Sequence, residues 1–133
     1  MCQRCWHPID ELARVNTRAA GARYEQLAED YLQRAGLMTV ARNFTCRMGE
    51  IDRVMIDGGT LVLVEVRYRA DPGFVSPLAS ITPMKQRRVV RTAQLYLQRH
   101  PRFAGCPCRF DAIGITGSLE DPRFNWIKGA FSA

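Results

Sequence analysis

At 133 residues the chain suits one domain with its own hydrophobic core, and 47% apolar against 24% charged side chains exclude a chain disordered as a whole. The longest purely aliphatic run, Leu61 to Val64, is too short to cross a bilayer, and the N-terminus lacks a signal-peptide stretch, so a cytoplasmic protein with no membrane partner is expected. The net charge is +6, and the five cysteines, odd in number, point to reduced thiols.

Residues 1–16 show no sustained period and read as a poorly ordered leader, leaving one domain over 17–133. The spacing predicts a first helix from Thr17 to Ala35, with Thr17 as N-cap and Gly36 as C-terminal stop. Its apolar face is Tyr24, Leu27, Ala28, Tyr31, Leu32 and Ala35. Glu25 lies at the edge of that stripe and can reach a sheet beneath the helix, whereas Glu29 and Asp30 are expected to point further toward solvent.

Three strands follow, Leu37 to Arg47, Glu50 to Asp57 and Leu61 to Arg69, the last two joined by the turn Asp57-Gly58-Gly59-Thr60. The proline- and glycine-bearing stretch from Asp71 to Thr82 reads as a loop. A second helix runs from Pro83 to His100, with Val89, Val90, Ala93, Tyr96 and Leu97 buried. The segment from Met84 to Arg102 carries six of the nineteen basic residues and no acid. Lys85, Arg87, Arg88 and Arg91 are therefore the nucleic-acid-binding candidates, and a solvated helix face is the competing reading. Arg87 and Arg91 fall opposite the buried face, while Lys85 falls back near the buried side, where it either supplies a cation beside the site or, as expected first, snorkels. Strands from Arg109 to Thr116 and from Arg123 to Phe131 close the domain. Asp111 is read as the ion-pair partner of Arg109, and His100 as a helix-end residue. Cys2-x-x-Cys5 with His7, and Cys106-x-Cys108, have no spacing that marks them as one zinc site.

A two-residue Gly58-Gly59 turn pairs Ile56 with Leu61, Val54 with Leu63 and Asp52 with Glu65, all on one face of the sheet. Like charges directly opposed are destabilising, so a carboxylate pair continuing an apolar face calls for a divalent cation, a proton, or a splayed and solvated strand end. Oxygen-only ligands favour Mg²⁺ or Mn²⁺ over zinc, which makes Asp52 and Glu65 the candidate metal ligands. Alternation also puts Arg67 and Arg69 on the face of Glu65, placed to neutralise a phosphate.

Glu25 in its G-x-x-Y-E-x-x-A stretch, Gly49-Glu50-Ile51-Asp52, Val64-Glu65-Val66-Arg67, the Lys85 region, Arg109-Phe110-Asp111 and Ala130-Phe131 together resemble the YraN family of uncharacterised small bacterial proteins. The likeness spans Thr17 to Phe131. That family is similar to the PD-(D/E)XK nuclease superfamily, whose Holliday-junction-resolvase-like branch has a helix glutamate, then an aspartate, then E-x-K. The resemblance implies an α/β, restriction-endonuclease-like fold in a single domain, a mixed β-sheet flanked by helices. It also implies that Glu25, Asp52 and Glu65 are metal-site candidates, and with Arg67 in the place of the family's lysine they make up the expected catalytic set. The chain departs from the pattern at Arg67, where the family has lysine, and at Arg53, where it has a hydrophobic residue; Trp126 and Gly129 replace a closing His and Asn. Arginine keeps charge stabilisation but cannot accept a proton.

These expectations converge on a Mg²⁺-dependent nuclease acting on structured or branched DNA. The alternatives are a non-catalytic nucleic-acid-binding module on the same fold and a protein-interaction scaffold. A homodimer would suit a junction-cutting enzyme, although no interface signal stands out.

Overall fold

A computed structural model describes residues 8–69 and 77–133, with residues 8–18 described by backbone alone. Helix α1 (Pro8–Arg34) precedes strands β1 (Met38–Cys46), β2 (Gly49–Asp57) and β3 (Thr60–Arg69). Helix α2 (Pro83–Arg99) then leads to β4 (Cys108–Gly117) and β5 (Pro122–Phe131), with short 3₁₀ turns at Pro77–Ser80 and Pro101–Phe103. The five strands form one sheet in the order β1-β2-β3-β4-β5. Only β3 and β4 run parallel, and α2 is the crossover between them, as a parallel pair requires.

The two helices cover opposite faces. Tyr24, Ala28 and Leu32 of α1 pack on Met55, Val62, Val64, Val66, Ile113 and Ile115. Val89, Ala93 and Tyr96 of α2 pack on Val54, Leu61, Leu63 and Phe110. Neighbouring residues of β2 and β3 thus serve different cores, which explains why Leu61 to Val66 is buried without a polar gap except Glu65. This is the restriction-endonuclease-like α/β architecture.

Helix α1 starts at Pro8 and not at Thr17, so Thr17 lies inside it. Proline suits a first helical position because its ring presets φ and its missing N–H has no intrahelical role there. Of the leader expected over residues 1–16, residues 1–7 lie outside the described residues, as do Cys2, Cys5 and His7. At its other end Gly36 adopts φ +105° and the Leu37 N–H returns to Leu32 O at 3.0 Å, closing the helix as its glycine predicts. Ala35, expected on the buried face, is exposed just past the last turn. The loop expected from Asp71 to Thr82 keeps only the Pro77–Ser80 turn and the cap among the described residues. There Thr82 caps α2, its hydroxyl accepting from the Lys85 N–H at 3.2 Å, with Pro83 in the first turn. Lys85 is thereby fixed at the start of the helix.

Candidate metal centre

The β2–β3 register is the one the Gly58-Gly59 turn dictates: Asp57↔Thr60, Ile56↔Leu61, Val54↔Leu63 and Arg53↔Val64. Beyond Arg53 the ladder gives way, so Asp52 and Glu65, expected to face each other as a ladder pair, are not paired in it. The Asp52 carboxylate replaces the lost backbone acceptor, its Oδ2 taking the Val66 N–H at 2.8 Å. Asp52 and Glu65, 7% and 2% exposed, are thus brought together at the end of the hairpin on the α2 side.

On the partner strand β1, Asn43 stands at the matching gap between Arg42↔Arg53 and Phe44↔Ile51. It adopts φ +51°, a left-handed conformation that asparagine tolerates better than other non-glycine residues. Its Nδ2 donates to Glu25 Oε1 at 2.9 Å, and Arg53 reaches the same oxygen at 3.3 Å. Glu25 is thereby held from the α1 side, with one oxygen committed to Asn43 and Arg53.

Two cations meet Glu65 Oε2, Arg67 at 2.9 Å and Lys85 at 3.4 Å. Lys85 does not snorkel; it is an ion-pair partner inside the centre, the neighbouring cation that its position near the buried side allowed. Arg88 lines a cavity beside it with Glu50, whereas Arg87 and Arg91 line a different cavity with Gln94 and Ser132. The four expected nucleic-acid-binding residues therefore divide between the centre and two faces of α2.

Burial pushes the Asp52 carboxyl above the ordinary carboxylate range, and the charge of Glu65 pushes it further. Glu25 and Glu50 add to the rise, while the Val66 N–H opposes it. Burial raises Glu65 as well, against the opposing charges of Lys85 and Arg67. Two polar atoms in the centre are buried without a hydrogen-bond partner among the described residues: the acceptor Glu65 Oε1 and the donor Arg67 Nε. A buried unsatisfied acceptor on a carboxylate that faces a second carboxylate fits a hard cation held by oxygen. Asp52 and Glu65 supply two ligands; among the described residues no three His, Cys, Asp or Glu side chains form a metal cluster.

Two neighbours of the site were not singled out from the sequence. Glu50 was quoted only within a motif, yet it lies two residues before Asp52, and the same alternation that placed Asp52 places it nearby. Asn43 had a weaker signal, an asparagine inside a strand, where that residue is depleted.

Glu29 corrects an expectation: it is fully buried, not solvent-facing. Arg53 Nε and Arg42 Nη2, each at 2.7 Å, together with the Thr39 hydroxyl at 2.7 Å, draw it under the helix. Arg53 is the residue whose place the resemblance gives to a hydrophobic side chain, and its charge explains why Glu29 lies inward. Burial raises the Glu29 carboxyl, but the bonds from Arg42, Thr39 and Arg53 outweigh it and hold it down to about 2.

Asp111 lies within β4 and takes four donors at 2.8 to 3.0 Å: Arg109 twice, the Trp126 indole and the Gly129 N–H. The pairing with Arg109 is as expected. The two positions where the chain departs from the closing His and Asn are the ones that bind Asp111 from β5.

The profile of the uncharacterised protein family UPF0102, the YraN family, matches residues 24–115. The chain belongs to this family. A UPF0102 protein of Stutzerimonas stutzeri (strain A1501) is 43% identical over 117 residues, 88% of this chain and 98% of that protein. UPF0102 proteins of Pseudomonas putida (strain GB-1) and Coxiella burnetii (strain RSA 493) are 47% and 45% identical over 113 and 114 residues. These alignments cover 84% and 86% of this chain and 92% of each relative. The UPF0102 match contains Glu25, Asp52, Glu65, Arg67 and Lys85, so the whole carboxylate centre lies inside it.

Proposed function

We propose that this UPF0102 protein is a Mg²⁺-dependent nuclease that hydrolyses phosphodiester bonds in structured or branched DNA. The observation that supports this reading best is the pair of unsatisfied buried atoms of opposite polarity, Glu65 Oε1 and Arg67 Nε. A cation satisfies the first and a phosphate oxygen the second, and a metal-bound phosphodiester brings both.

Asp52, through the oxygen not used by Val66, and Glu65 Oε1 would hold Mg²⁺ or Mn²⁺. Such an ion lowers the pKa of water and neutralises charge on the attacked phosphate. Arg67 holds the phosphate and stabilises charge developing on its oxygens, but cannot take a proton. Lys85 is the second cation on Glu65 and adds positive charge beside Arg67 for the phosphate. Glu25, fixed by Asn43 and Arg53, adds negative charge behind Asp52. We place this activity in the cytoplasm, where the described cysteines Cys46, Cys106 and Cys108 would remain free thiols.

Arg67 favours a second reading, a nucleic-acid-binding module without catalysis. One experiment separates the two: a panel of linear, nicked and branched DNA and RNA incubated with Mg²⁺ or Mn²⁺, with wild type, Glu65→Gln and Arg67→Lys. The nuclease reading expects wild-type cleavage that Glu65→Gln abolishes. Cleavage seen only with Arg67→Lys would establish the module, and undiminished activity of Glu65→Gln would remove Glu65 from the mechanism.

A further inference from the structure

The tip of the β1–β2 hairpin leans on α2. Gly49 permits this approach, since a Cβ there would meet Thr92 Oγ1 at 3.2 Å and Arg88 Cβ at 3.7 Å. A cavity opens on each side of the contact. One, of about 510 Å³, runs from Arg47 and Met48 to Glu50, Lys85 and Arg88; the other, of about 570 Å³, runs from Arg47 and Met48 to Leu95 and Arg99. Both are lined by Thr45, Cys46, Arg47 and Met48, so they form one groove wrapped around the hairpin tip.

On α2 the groove is lined by Lys85 and Arg88 on one side of the contact and by Leu95 and Arg99 on the other, with Thr92 buried beneath the hairpin tip between them. At about 1.5 Å per residue, the span from Lys85 to Arg99 is about 21 Å long, which is about six steps of duplex at about 3.4 Å each. One end of the groove is Lys85, on the carboxylate centre. Among the described residues Arg47, Arg88 and Arg99 have no acidic partner, unlike Arg42, Arg53, Arg67 and Arg109.

The groove floor also favours negative charge. Burial raises the Cys46 thiol, yet the backbone N–H groups of Met48 and Gly49, with Thr92 and Arg99, outweigh it and hold the thiol below its ordinary range.

We propose that this groove carries the phosphodiester backbone of the nucleic-acid strand that enters the carboxylate centre, with Arg88, Arg47 and Arg99 as its phosphate contacts. The end at which the strand is processed rests on the nuclease reading; the anchoring does not. Arg87 and Arg91, on the other side of α2, stand outside this path.

The test is a metal-free anisotropy titration of labelled branched DNA, and of RNA of matching sequence, across a salt series. Wild type is compared with Arg47→Ala/Arg88→Ala/Arg99→Ala and with the charge-matched Arg87→Ala/Arg91→Ala/Arg123→Ala. The groove variant is expected to bind about tenfold or more weakly, with a salt slope shallower by about 2 to 3, while the other variant stays within about twofold of wild type. Equal weakening by both variants, or none by the groove variant, overturns the proposal. So does a loss confined to one polymer, because phosphates are common to both. Melting curves check the fold, and single Arg88→Ala and Arg99→Ala variants, each expected to lose part of the slope, replace the triple if it does not fold. Cleavage by wild type with unaltered binding of the groove variant rejects the groove and keeps the nuclease. Groove-dependent binding without wild-type cleavage keeps the groove and rejects the nuclease.

Discussion

Replacing Asp52 by Asn removes a carboxyl whose charged form its surroundings oppose and leaves an amide oxygen for the Val66 N–H. A carboxyl whose folded pKa is raised costs stability as pH climbs above its ordinary value of 3.8, because only the unfolded chain ionises freely. In metal-free buffer Asp52→Asn is therefore expected to melt higher than wild type, by the equivalent of about 1 kcal/mol or more, with a gap that widens from pH 4 to pH 8. Thermal melts across that range check it; a constant gap would mean that Asp52 is not the group responsible. Glu65→Gln should gain less, since burial raises Glu65 too but its loss deprives Lys85 and Arg67 of their shared counter-charge. Both carboxylates could be found from the sequence because a glycine-glycine turn and strict alternation leave one register for the hairpin. Asn43 could not, because a left-handed residue inside a strand belongs to no periodic pattern and its effect appears only across the β1–β2 pairing.

At the scale of elements, α1 is joined to β1 and β2 by the Glu29 cluster as well as by apolar packing. Glu29→Gln leaves the 4%-exposed Arg53 side chain without its closest charge partner, and a cost of about 3 kcal/mol is expected. The double variant Glu29→Met/Arg53→Leu should recover most of it, because removing a buried pair altogether is far less harmful than breaking it. Denaturant unfolding of the three proteins measures both. The sign of the pH effect is opposite to that of Asp52: Glu29 is held below its ordinary 4.5, so its contribution is present above that pH and disappears between about 4.5 and about 2. The stability difference between wild type and Glu29→Gln should accordingly shrink over that acid window. Helix limits set by proline and glycine were legible at Pro83 and Gly36, where local chemistry decides. Glu29 was misread because helical periodicity counts every charge as outward, and only the neighbouring strand's Arg53 and Arg42 reverse that rule. Lys85 was placed near the buried side, but its helix position alone left a neighbouring cation and a snorkelling side chain both open, and the partner that decides between them lies on β3.

For the whole molecule, a cation that binds only the folded carboxylate centre must raise the melting temperature, by the equivalent of about 2.7 kcal/mol at a hundred times its dissociation constant. Mn²⁺ is expected to shift wild type upward and to leave Asp52→Asn/Glu65→Gln unmoved, as read by calorimetry. Equal shifts in both proteins would place the cation elsewhere. The sheet order was not legible beyond its hairpin, because the sequence shows which strands exist but not that β4 inserts beside β3 after a helical crossover.

That crossover has a consequence for the growing chain. β1, β2 and β3 form a meander from near neighbours, whereas β3 meets β4 only across α2, from Leu61↔Cys108 to Arg69↔Thr116. During synthesis the most apolar strand is therefore finished long before its second partner leaves the ribosome, and stands meanwhile as an open edge. The two acids are likewise assembled before Lys85 arrives to join Arg67 on Glu65. Late parallel closure of this kind slows folding, so nascent chains should depend on chaperone protection of β3 more than the stability of the finished protein suggests.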